Sequence, residues 1–138
     1  MFRKIVYCSP IEGVVHWQGK PLANVLVTRQ LHSGGFDSGK FTDSTTTSGA
    51  GQFKFAVVQE RRLFSPDLLS ANPRVSQFLI VRHQEFDYLV WSFDKLNFNL
   101  GSEAVGGTLK IDCDLSTFEP GSDLRVVRCK NNGVRQYE

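Results

Sequence analysis

The segment from Gly13 to Phe55 constrains the fold most, because its apolar residues recur at every second position between residues that turns favour. Val14 to Trp17 runs into Gln18-Gly19-Lys20-Pro21. Glycine reaches positive φ without steric cost and proline fixes φ at about −65°, so this quartet reads as a tight turn. In Leu22 to Thr28 that follows, Ala23, Val25 and Val27 share a wholly apolar face, and Leu22, Asn24, Leu26 and Thr28 a mixed one. That is a half-buried strand, and Pro21, with no N–H to donate, belongs at its start. Thr45 to Thr47 suits an exposed strand, Ser48 to Gly51 a turn, and Phe53 and Phe55 alternate cleanly with Gln52 and Lys54.

The rest of the chain continues the pattern. Ile5 and Tyr7 suit an edge strand in a short N-terminal lead, 1–8, and Leu31 to Asp43 reads as a long Gly-, Ser- and Asp-rich loop carrying Phe36 and Phe41. Glu60 to Pro73 interrupts the alternation: Ser65-Pro66 is N-cap chemistry and Asn72-Pro73 a stop, which predicts one short helix near 65–71, from Pro66 to Ser70. Val75 to Val81 and Tyr88 to Phe93 read as a hairpin turning at Arg82 to Asp87. Asp94 to Gly107 is a second long loop, with Leu96, Phe98 and Leu100 at period two. Thr108 to Leu115 is a strand with Leu109, Ile111, Cys113 and Leu115 inward, Leu124 to Cys129 follows a turn at Glu119 to Ser122, and 130–138 reads as a flexible tail. About eight strands of 4–8 residues with turns between them predict an all-β fold, an antiparallel sandwich.

At 138 residues the chain is most simply one domain, 1–138, long enough to bury roughly 65–70% of its unfolded surface. A net charge of +2 supplies no concentrated basic stripe, which argues against nucleic acid as a partner. No apolar run approaches the roughly 18 residues of a spanning helix, so membrane insertion is not expected. The N-terminus has no apolar signal core, which places the chain in the bacterial cytoplasm if it is complete and in the periplasm if a leader has been removed. Three cysteines are an odd count. They are either reduced thiols or include one bridge: Cys113 and Cys129 flank a turn and would lie nearly opposite on a hairpin, with Cys8 to Cys113 as the rival pairing.

The order Gly-x-Val, Gly19-Lys20-Pro21-Leu22-Ala23-x-Val25-x-Val27, Thr45-x-Thr47, Gly51-x-Phe53-x-Phe55 resembles the carboxypeptidase regulatory-like domain, a prealbumin-like (transthyretin-like) β-sandwich. Ser48 stands where that pattern usually carries Asp. Cys8-Ser9-Pro10-x-Glu12-Gly13-Val14 and Cys113-Asp114-Leu115 also resemble small bacterial single-domain proteins built on this module. The resemblance covers Cys8 to Phe55, about a third of the chain, and implies an accessory, adhesive or binding module rather than an activity. The hydroxyisourate hydrolase type of this fold places a catalytic His seven residues before the Gly of its Gly-x-Pro and ends in Tyr-Arg-Gly-Ser; here those positions are Glu12 and Arg135-Gln136-Tyr137-Glu138, so that activity is rejected.

No catalytic or metal signature stands out. His16, His32, His83 and the cysteines are scattered without metal-ligand spacing, and Gly106-Gly107-Thr108-Leu109-Lys110 lacks the spacing of a phosphate loop. Asp112 and Asp114 share the outer side of a strand, a solvated face. The chain is therefore expected to be a non-enzymatic protein-binding module without cofactor, one concrete version being an immunity protein that neutralises a secreted bacterial toxin. Its expected partner contacts are Phe36, Asp37, Phe41, Arg61, Arg62, Phe64, Phe98 and Glu103, the aromatics and charges of the loops. The alternative is a structural or carbohydrate-contacting module, for which Trp17 and Trp91 are the planar aromatics to check; an unrecognised hydrolase is the third reading.

Overall fold

The alternation becomes twelve strands in the computed structural model, which describes residues 2–34, 36, 38–63, 74–95, 103–104, 106–119 and 123–133. The strands are β1 (Phe2–Cys8), β2 (Ile11–Trp17), β3 (Lys20–Pro21), β4 (Leu26–His32), β5 (Lys40–Thr46), β6 (Gln52–Phe55), β7 (Val58–Leu63), β8 (Val75–His83), β9 (Phe86–Lys95), β10 (Leu109–Asp114), β11 (Leu124–Val126) and β12 (Lys130–Asn131). One five-stranded sheet runs β12-β10-β2-β3 with β6 also paired to β2; the other runs β11-β9-β8-β4-β5; β1 and β7 pair as a separate ribbon. Inward side chains of both large sheets and of β1 meet in one core that includes Ile5, Ile11, Val15, Val27, Leu79, Val81, Leu109 and Ile111. The chain is an all-β sandwich.

Two packing details show how the layers lock. Gly13 is a glycine because the Phe53 ring of neighbouring β6 lies over it: a Cβ there would sit 2.3 Å from the ring. Arg29 of β4 is almost wholly buried, yet its charge is matched: Nε and Nη2 donate to Asp43 Oδ1 and Oδ2 at 2.9 and 2.6 Å, and Nη1 donates to the Ala56 carbonyl at 2.7 Å. Its guanidinium also lies 4.7 Å over the Phe55 ring, so one side chain ties β4 and β5 to the β6–β7 connection.

Several expectations need correction. The sheets are mixed rather than antiparallel: β10 runs parallel to β2, and β11 parallel to β9. The side-chain period of two is the same in both arrangements, so alternation alone is silent on direction. The expected strand from Leu22 starts only at Leu26, because Asn24 takes φ 59° and the Thr47 hydroxyl ties Leu22 O to the Val25 N–H. The expected loop from Leu31 to Asp43 is strand at both ends: β4 and β5 pair through Leu31↔Phe41 and His32↔Lys40, and Ser33 N–H donates to Gly39 O at 3.0 Å beyond them. The N-terminal lead is β1, with Ile5, Val6, Tyr7 and Cys8 all buried against the core. Strand β7 occupies the start of the segment read as an interruption, whereas the helix expected near 65–71 lies outside the described residues. The tail expected to be flexible begins as β12, antiparallel to β10, and Gly133 bridges Ala104.

Cys113 and Cys129 are joined by a disulfide. The pairs Ile111↔Asn131 and Asp112↔Lys130 bring the next residues along, Cys113 and Cys129, opposite each other, with Cα atoms 4.6 Å apart. Cys8 is free and buried, and burial pushes its thiol up to about 12. A thiol held in that form is a poor nucleophile.

Candidate functional site

Two tight hairpins meet at one end of the sandwich. Gln18 and Gly19, with φ of 50° and 79°, join β2 to β3; Gln84 and Glu85, at 50° and 69°, join β8 to β9. Positive φ at both central residues matches the twist of a two-residue hairpin, but it is a strained conformation for Gln84 and Glu85. The first hairpin is fastened by Asp114 at the end of β10. Its carboxylate accepts the Gln18 and Gly19 N–H groups at 3.1 and 2.9 Å, and the Ser116 N–H at 3.0 Å, which caps a 3₁₀ turn at Leu115–Thr117. The Ser116 hydroxyl above all, and then the Gly19, Ser116 and Gln18 N–H groups, hold Asp114 below the usual carboxylate range against a smaller opposing effect of burial. Asp114, read from sequence as a solvated strand carboxylate, thus positions what stands on either side of it: Trp17 and Phe118.

Around these turns the aromatic side chains form a continuous patch. Trp17 lies 5.4 Å from His83 and 6.4 Å from Tyr88, and Tyr88 stands edge-on to Phe118 at 5.8 Å. Strand β11 lies parallel to β9 with Arg125 opposite Tyr88, and this register places a cation among the rings. The Arg125 guanidinium carbon lies 3.6 Å over the Phe86 ring and 4.1 Å over Phe118, while Nη1 donates to the Tyr88 hydroxyl at 2.8 Å. Tyr88 is buried, whereas Phe86 is 45% exposed, one of three large apolar side chains that face solvent among the described residues. An aromatic–arginine patch with an exposed ring is the composition from which binding hot spots are built.

The expected contacts that lie among the described residues fall outside the aromatic end. Phe36 and Phe41 stack on each other at 5.8 Å, and Phe36 lies 4.2 Å from Tyr7; both rings pack against the core. Arg61 is exposed on β7, Arg62 is on the same strand, and Asp37, Phe64 and Phe98 lie outside the described residues. Glu103 is a correction: it is 1% exposed and cannot serve as a surface contact. Its Oε1 pairs with Lys95 Nζ at 3.0 Å and accepts the Ser9 hydroxyl at 2.7 Å; its Oε2 accepts the Ser9 N–H at 2.6 Å and Gln77 Nε2 at 3.0 Å. Burial works to raise its pKa, but the two Ser9 bonds, Gln77 and Lys95 together hold the carboxyl below its ordinary range. This is an interior brace across β1, β8 and β9 rather than a binding surface.

A groove of about 660 Å³ lies on the outer side of β6, β2, β10 and β12, lined by none of the aromatic-end residues Trp17, Phe86, Phe118 and Arg125. It is lined by Lys54, Glu12, Lys110, Asp112 and Lys130, charges of alternating sign over a sheet face. His16 adds an imidazole 3.5 Å from Asp112. Among the described residues no group of three or more His, Cys, Asp or Glu is placed to hold a metal ion, and no helix is long and apolar enough to cross a membrane.

Sequence reasoning missed Phe86, Arg125 and Phe118. Phe86 was assigned to a turn, and Arg125 reaches it only through a parallel ladder between segments 37 residues apart. The one available signal was Phe86 and Tyr88 alternating on one side of a strand.

A family model described as "Domain of unknown function (DUF6795)" matches residues 11–117. No curated protein matches the chain. Among solved structures, the chain is similar to the crystal structure of 3-chlorocatechol 1,2-dioxygenase from Rhodococcus opacus 1CP, at 15% identity and a TM-score of 0.38. That match covers 91% of this chain but spans only 60% of the dioxygenase chain.

Proposed function

We propose that this chain, which belongs to the DUF6795 family, works as a non-enzymatic protein-binding module whose contact surface is the aromatic end of the sandwich. The observation that carries the reading is the exposed Phe86 ring stacked on Arg125, on a rigid two-sheet support. Interfaces concentrate their energy in a few such aromatic and arginine anchors, and a framework that already holds them in place lowers the ordering cost of binding. A specific form of the proposal is a bacterial immunity protein, one that covers the working site of a cognate secreted toxin. The resemblance of Cys8 to Phe55 to the carboxypeptidase regulatory-like domain supports an accessory or binding role in the same sense. A carbohydrate platform is less well supported: Trp17 rises from β2 and Trp91 from β9, strands of different sheets, and each is half-buried against its own neighbours.

The test is co-purification with the product of the adjacent gene. The wild-type chain is expected to form a complex that Phe86→Ser weakens by about tenfold or more, as loss of a hot-spot ring does, with the melting temperature little changed. Absence of any complex, or a complex indifferent to Phe86→Ser, would contradict the reading.

A further inference from the structure

The charge at the aromatic end is unmatched. Arg74, Arg82 and Arg128 are exposed, yet each meets a carboxylate, Asp94 at 2.7 Å, Asp87 at 3.1 Å and Glu119 at 3.0 Å. Arg125 is half-buried, and among the described residues no carboxylate pairs with it. This reverses the usual order, in which the more buried cation has the stronger claim on a counter-charge.

The geometry states what is left for a ligand. Phe86 and Phe118 lie within 3.6 and 4.1 Å of the guanidinium carbon, so the faces of the group are taken by rings. The in-plane edge remains, and among the described residues one of the five N–H donors that edge carries is given to Tyr88. A planar fork with donors to spare matches the two oxygens of a carboxylate. The neighbouring cations Arg82 and Arg128 already have acidic partners, so they do not add the further positive charge that a phosphate dianion favours. The exposed Phe86 ring makes the rim beside the guanidinium apolar, which suits a carboxylate carried on a protein surface beside an apolar residue.

We infer that Arg125, held between Phe86 and Phe118, is a preorganised receptor for an Asp or Glu side chain of the partner protein. The inference rests on the protein-binding reading and sharpens it: the partner presents an acidic residue next to an apolar one. Desolvation by the rings strengthens the ion pair relative to one in open water, and the stack fixes the fork before the partner arrives.

The experiment is a titration of the isotopically labelled full chain, following the Arg125 Nε–H and Phe86 ring signals. The probes are the N-acetylated, C-amidated tripeptide Phe-Glu-Leu, its Phe-Gln-Leu counterpart and inorganic phosphate. Saturable shifts with the Glu peptide are expected, with the Gln peptide and phosphate each weaker by about tenfold or more, since only the carboxylate offers a charged bidentate match. Arg125→Lys should lose the response, because an ammonium neither stacks nor forks. No saturable shift with the Glu peptide, an equal response to the Gln peptide, or phosphate binding as strongly would overturn the assignment; the three wild-type titrations do not depend on any variant folding. If the Glu peptide fails while the complex with the adjacent gene's product still requires Phe86, the protein-binding reading stands and the carboxylate receptor falls.

Discussion

Glu103 and Lys95 are 1% and 0% exposed as side chains, so their charges exist only because each answers the other within a set of hydrogen bonds. Removing Glu103 takes the ion pair from a wholly buried Lys95 ammonium. Glu103→Ala is expected to destabilise the fold by about 3–5 kcal/mol, whereas Glu103→Leu with Lys95→Met should be close to neutral, as replacement of a buried pair by apolar volume often is. Urea unfolding of the two variants distinguishes these outcomes. The pH sign follows from the depressed pKa of Glu103. The unfolded carboxyl takes a proton at a higher pH than the folded one, so the stabilisation is fully present above the ordinary carboxylate range and is lost as pH falls through it. The midpoint of urea unfolding should therefore drop on acidification, and drop less in the double variant. Glu103 read as a surface contact because it sits in the long loop Asp94 to Gly107, beyond the alternating Leu96, Phe98 and Leu100. Its burial is decided by Ser9, 94 residues away, and no local pattern encodes that.

At the scale of elements, what the sequence made legible is alternation. Val25 and Val27, Phe53 and Phe55, and Leu109, Ile111 and Cys113 all point inward as their spacing implies. Strand direction and partner were not legible: the parallel pairs β2–β10 and β9–β11 join distant segments whose period is the same in either orientation. Two elements carry predictions. The β8–β9 turn holds Gln84 and Glu85 at φ of 50° and 69°, a cost of about 1 kcal/mol or more for each non-glycine residue. Glu85→Gly should raise stability by about 1 kcal/mol in thermal unfolding, and a fall instead would mean that the Glu85 side chain is needed by the fold. The disulfide anchors β12 to β10 across a sequence separation of 16 residues. Its reduction is expected to lower stability by about 3 kcal/mol. Gly133, over which the Trp91 ring packs so closely that a Cβ would lie 2.4 Å away, lies two residues beyond the end of this strand. Reduction should therefore also change tryptophan emission before global unfolding; emission that stays constant until the global transition would show that the strap holds without the bridge.

For the whole molecule, two β layers close over one apolar core and leave their rims facing solvent. The all-β sandwich was readable from turns and periodicity. The aromatic end proposed as the contact surface was not, because it is assembled from β2, β9, β11 and the 3₁₀ turn, none of which carries a sequence signature of binding. Asp114 fastens one hairpin, the paired β8–β9 turn presents Phe86, and β11 supplies Arg125. The most direct test of this account is hydrogen exchange on the chain alone and in complex with the adjacent gene's product. Slowed exchange is predicted at 83–88, 115–119 and 124–126, with the outer side of β6 and β12 unchanged. Protection confined to the charged groove of Lys54, Lys110 and Lys130, with the aromatic end exchanging as in the free chain, would contradict it.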